Sequence, residues 1–327
     1  MKKKIFILAS IIILIFLTNI LNTFFVSYIY SKKLSTSLDS RYNWYGMCND
    51  IIDFKIKNLK IIFTGDSHIY AGLNLQKFNE EIPKLSLTCS IPAISFENNL
   101  ILADKLIKKY NPDIIFIALS QFQFKLADEK KELERESQFQ KVIKKDPFSF
   151  QFHSLKKLIT HILNPYSETV ISEKQLKFLE SKNEIFFDKF KDSIMYQTEN
   201  YIDGVYNKFI MSKENKKFIE DFCKSQNENL KKIIFLNIPT PDYFNKSLIY
   251  QNEYENYISH LKKCFNVVDY KNIKYLTNRK YYLDRLGQFE KKELLEYDIA
   301  HLNFAGSYLF TEYLIKVINE KFITYDK

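Results

Sequence analysis

The stretch that most constrains the fold is Leu59-Lys60-Ile61-Ile62-Phe63-Thr64, a short apolar run that stops at Gly65-Asp66-Ser67. A continuous apolar run of this length reads as a strand buried on both faces, the pattern of parallel sheets. Residues 69–81 then follow a helical period, and residues 84–90 supply a second strand candidate. Ser95 is placed to cap a helix over 98–109, and Asn111-Pro112-Asp113 stops it. Residues 114–119 form a third buried strand. This strand–helix–strand–helix–strand order implies a parallel sheet with right-handed crossovers. Open sheets of this kind place their ligands outside the carboxyl ends of the strands, which is where Ser67 falls.

From residue 125 to about 229 the chain is charged, aromatic and mainly helical in pattern, as over 127–139 and 178–190. It reads as a helical insertion or lid between sheet strands. Residues 231–238 resume the sheet and end at Pro239-Thr240-Pro241, a natural strand terminator. Residues 253–263 read as a helix, 265–270 as a fifth strand, and 304–321 as a closing amphipathic helix. The α/β domain is thus expected over 59–327.

Ahead of the domain, Met1-Lys2-Lys3-Lys4 precedes residues 5–30, which contain no charged side chain. A helix of that length crosses a hydrocarbon core of about 30 Å with some tilt. The run is longer than the apolar part of a cleavable signal peptide, and Phe25-Val26-Ser27-Tyr28 is a poor cleavage site. The expectation is one N-terminal transmembrane helix, an uncleaved signal anchor whose partner is the lipid bilayer. The initial lysines favour the cytoplasmic side, which puts the rest of the chain outside the cytoplasmic membrane. Residues 31–58 are polar and aromatic, and read as a juxtamembrane linker wrapping onto the domain.

Composition excludes more than it assigns. The net charge of +9 is spread along the 327 residues with acidic side chains beside most basic ones, and no nucleic-acid partner is expected. The four cysteines have no Cys-x-x-Cys spacing, so neither a metal nor a cofactor site is expected. Cys89 and Cys264 lie in apolar runs and read as buried thiols, with one disulfide open to an exported domain and its pair unassigned.

Acyl transfer at a serine needs a base, a group that orients the base, and donors for the oxyanion. Ser67 is the candidate nucleophile and His301 the candidate base. Asp298, three residues earlier, can reach the far imidazole nitrogen from the same loop. The Ser67 N–H, at a helix start, can serve the oxyanion. Asp66 reads as a loop-holding cap, His68 as a surface residue, Asn303 as a cap of the last helix and Gly306 as a close-packing position.

These residues resemble the SGNH (GDSL-type) hydrolase superfamily. Gly65-Asp66-Ser67 after a buried strand is similar to its first block, and Asp298-x-x-His301 before a closing helix to its last. The Leu302-Asn303-x-x-Gly306 continuation resembles the last block of its cell-envelope members. The resemblance covers residues 59–124 and 231–321. It implies a flavodoxin-like three-layer α/β/α domain with a Ser67–His301–Asp298 triad. The second block usually offers a glycine N–H to the oxyanion, and here Ala93 stands in that stretch, able to donate if its φ stays negative. The third usually offers Gly-x-Asn-Asp, and here Ser120-Gln121 stands, with Gln121 or Ser120 as a replacement donor. The subclass implied is a membrane-anchored esterase or O-acyltransferase on an acylated cell-envelope carbohydrate. The alternative is a catalytically degenerate member with a structural or assembly role. The acyl group, the acceptor and any membrane-embedded acyl-donor protein beside it are left open.

Overall fold

The computed structural model describes residues 46–53, 55–120, 213–241, 251–269, 276–282 and 301–321, with a few isolated helical positions elsewhere. It contains a five-stranded parallel sheet with helices, consistent with a three-layer α/β fold. The strands are β1 (Leu59–Gly65), β2 (Leu85–Ser90), β3 (Ile114–Leu119), β4 (Ile233–Asn237) and β5 (Asn266–Val268), in the order β2-β1-β3-β4-β5. Every residue of β2, β3 and β4 is buried, and β3 is apolar throughout, as a strand covered on both faces requires. β1 exposes Lys60, and the edge strand β5 exposes Asn266.

The helices are α1 (Gly46–Asp53), α2 (Ser67–Gly72), α3 (Leu75–Glu81), α4 (Phe96–Tyr110), α5 (Lys213–Ser225), α6 (Gln251–Leu261) and α7 (Phe304–Lys321). The single helix expected over 69–81 is two, because the Asn74 side chain accepts the Lys77 N–H and starts a new helix. Ser95 caps α4 as expected, accepting the Asn98 N–H at 3.3 Å, and Asn111 ends it in the left-handed region. The core is centred on Phe63, whose ring stacks on Phe116 at 4.8 Å and meets Phe78 of α3 edge-on at 5.1 Å. Each such buried ring contributes about 1.5–3 kcal/mol by leaving water.

One expectation is corrected. The cysteines are not thiols: Cys48 is bonded to Cys89 and Cys223 to Cys264. Helix α1, within the predicted linker, lies against β2, and this brings Cys48 to Cys89 with 4.0 Å between their Cα atoms. Tyr110 donates its hydroxyl to the Ile51 carbonyl, and Lys109 its ammonium to the Ile51 and Ile52 carbonyls. They satisfy acceptors that the end of α1 leaves open. At the end of the predicted insertion, Ile219 and Phe222 of α5 are buried in the core. The helical patterns over 127–139 and 178–190 lie mostly outside the described residues. So does the predicted anchor over 5–30, apart from helical positions at Ser10, Leu17, Ile20 and Leu21. No helix among the described residues is long and apolar enough to cross a membrane.

β1 and β3 are the neighbours from which the chain runs outward in opposite directions, so the crevice above their carboxyl ends is the switch point of the sheet. Gly65 ends β1 there with φ +154°, and a Cβ on it would stand 2.7 Å from the Ala118 Cβ. Gly65→Ala is therefore expected to destabilise the domain by about 2–4 kcal/mol, from backbone strain and overpacking together. Chemical denaturation of the folded chain checks this, with a midpoint unchanged from wild type as the contrary result.

Candidate active site

Ser67 opens α2 immediately beyond β1, and His301 lies two residues before the cap of α7. Their side chains meet across 234 residues of sequence, with His301 Nε2 at 2.7 Å from Ser67 Oγ. That is hydrogen-bond distance for a base and the hydroxyl it would deprotonate.

The loop carrying His301 is held from below. The Asn303 N–H donates to the Tyr281 carbonyl at 2.7 Å and its side-chain amide to the Lys280 carbonyl at 2.8 Å. Its Oδ1 accepts the Gly306 N–H at 3.0 Å, which makes it the expected cap of α7. Gly306 is needed for close approach, since a Cβ there would stand 2.7 Å from the Tyr281 carbonyl oxygen. Thr311 Oγ1 accepts the Asn74 N–H at 2.9 Å and so ties α7 to the α2–α3 junction. The first and last parts of the site are therefore held in one packed unit.

Asp66 is buried beside Ser67 and serves two elements at once. Its Oδ1 accepts the His68 N–H at 2.9 Å, capping α2, and lies 3.2 Å from His68 Nδ1. Its Oδ2 accepts the Ser120 hydroxyl from the end of β3. Burial alone would raise the carboxyl, but the His68 charge and the hydrogen bonds from His68 and Ser120 outweigh it and hold the group at about 2.

His68 is the residue that sequence reasoning missed. It is buried, not on the surface, and its ring stacks on His301 with centroids 4.3 Å apart and planes 24° apart. The expectation failed because buried Asp66 draws both the His68 N–H and its Nδ1 inward. The available signal was the Asp66-x-His68 spacing, since a capping aspartate faces the second residue after it.

The oxyanion candidates fare unevenly. Ala93 is exposed and has φ +55°, not the negative value expected. It sits third in a turn closed by the Ile94 N–H on the Ile91 carbonyl at 3.1 Å, after Pro92. This arrangement normally takes glycine at the third position, because φ is positive there. The turn adjoins β1 through the Ile91 N–H on the Gly65 carbonyl at 2.9 Å. Ser120, the other replacement donor, has its hydroxyl directed at Asp66. Asp298 and Gln121 lie outside the described residues. Among the described residues no group of three or more His, Cys, Asp or Glu side chains could hold a metal ion.

With the Asp66 carboxyl at about 2 in the fold against an ordinary 3.8, the anion stabilises the fold fully above pH 3.8. That contribution disappears as pH falls through about 2. The stability difference between wild type and Asp66→Asn is expected to shrink by roughly 2 kcal/mol from pH 4 to pH 2. Urea titrations across that range measure it; a difference that stays constant with pH is the contrary result. Compared with protein-family models, curated proteins and solved structures, the chain matches none.

Proposed function

We propose that the chain is an extracytoplasmic serine esterase or O-acyltransferase acting on an acyl group of a cell-envelope polysaccharide or glycan. The observation that carries this reading is the 2.7 Å contact between Ser67 Oγ and His301 Nε2. The contact stands at the carboxyl ends of the central strands. The strand order β2-β1-β3-β4-β5 is that of flavodoxin-like sheets and agrees with the SGNH resemblance. For the compartment, the support is the charge-free run over 5–30 together with two disulfides, a covalent state of oxidising environments.

In this mechanism Ser67 Oγ attacks the acyl carbonyl carbon as its proton passes to His301 Nε2. The Ser67 backbone N–H, with Gln121, holds the oxyanion. His301 returns the proton to the departing alcohol oxygen, and the acyl group remains esterified to Ser67. Water or a sugar hydroxyl then attacks the ester as its proton passes to His301, which returns that proton to Ser67 Oγ as the acyl group leaves. Asp298 fixes the imidazole tautomer throughout. The N-terminal helix keeps the site at the bilayer, within reach of a membrane-embedded acyl-donor protein.

A fluorophosphonate probe is expected to label the full-length protein at Ser67. Labelling should be lost in Ser67→Ala and slowed at least about a hundredfold in His301→Ala, the usual scale of general-base catalysis. Folded wild-type protein that takes no label contradicts the proposal. A second reading, a catalytically degenerate SGNH-fold protein of envelope assembly, is favoured by one observation. Ala93 is held at a positive φ, and the Ser120 hydroxyl is directed away to Asp66. Full rescue of an envelope defect by Ser67→Ala selects that reading.

A further inference from the structure

The stacked His68 ring has no part in the acyl-transfer steps above, yet it is firmly anchored. Its backbone N–H and its Nδ1 both face Asp66 Oδ1, at 2.9 and 3.2 Å. Asp66 is in turn held from β3 by the Ser120 hydroxyl. With its carboxyl at about 2, Asp66 is an anion at neutral pH and can only accept, so His68 Nδ1 carries the hydrogen. The contact fixes the rotation of the His68 ring about both of its side-chain torsions.

His301 needs such a fixed neighbour. It stands on a loop, and its value as a base depends on keeping Nε2 aimed at Ser67 Oγ. The hydrogen bond to Ser67 sets a distance, and the flat His68 ring 4.3 Å away sets a plane. Small misplacements of a reacting group are costly in rate, and supporting contacts of this kind prevent them.

We infer that His68 is a positioning residue whose ring face, set by Asp66 and Ser120, holds the His301 imidazole in line with Ser67. The inference rests on the reading of Ser67 and His301 as nucleophile and base. It predicts that the ring matters more than the hydrogen bond that anchors it. It also predicts that His68 acts only through His301.

The test is the rate of fluorophosphonate labelling of the full-length chain, with thermal melts recorded for every variant. His68→Ala, which removes ring and donor, is expected to slow labelling about tenfold to a hundredfold, part of what general-base catalysis supplies. His68→Gln keeps a donor for Asp66 without a ring and should be as slow. His68→Phe keeps the ring without the donor and should recover to within about threefold of wild type. In a His301→Ala background, His68→Ala should change the residual rate by less than about twofold, because coupled residues are not additive. His68→Gln labelling like wild type overturns the inference, as does an equal loss from His68→Ala with and without His301. If one variant fails to fold, the remaining ring-only or donor-only variant still decides. Wild type that takes no label fails the nucleophile reading, and the inference falls with it. Wild type that labels while the His68 effects are additive fails the inference alone.

Discussion

A single buried carboxylate organises the part of the molecule where chemistry is proposed. An anion sealed from water is tolerated only when donors surround it, and an unpaired one costs several kcal/mol. Asp66 meets that condition with the His68 backbone and ring and the Ser120 hydroxyl. In doing so it joins the turn after β1 to the end of β3, across the switch point of the sheet. The conformation of Ser67 follows, because the same carboxylate caps the helix that Ser67 opens. Loss of this carboxylate would therefore be felt at Ser67 as well as in stability.

The other half of the site depends on shape more than on charge. Asn303 uses its N–H, its side-chain amide and its side-chain oxygen on three different partners. Gly306 lets the Tyr281 carbonyl come closer than any side chain would allow. These contacts seat α7 against the turn containing Tyr281, and the His301 loop is drawn with it towards α2. A contact spanning 234 residues thus arises from local rules at each end: a strand stopped by glycine and a helix started by asparagine.

Much of this was legible in the residue order. β3 and α7 were read to their end residues, because an unbroken apolar run and a long amphipathic period are strong signals. Ser67 and His301 were both placed at strand and helix ends, and they meet. The disulfides were not legible, since pairing depends on which elements pack over one another, as α1 does over β2. His68 was missed because its direction hangs on a side-chain contact with Asp66, whose burial depends on how β3 packs beside it. The break at Asn74 shows the same weakness, where a polar cap interrupts a period that looks continuous. The Ala93 conformation lies beyond pattern reading altogether, as alanine carries no local signal for a positive φ.

The proposed chemistry requires a covalent acyl group on Ser67. The most direct measurement is peptide mass spectrometry of the full-length protein quenched in acid shortly after mixing with an activated acetyl ester. The account predicts an acetyl adduct on the peptide bearing Ser67, absent from Ser67→Ala and much reduced in His301→Ala. No adduct on folded wild-type protein, or one whose yield is indifferent to His301, would contradict it.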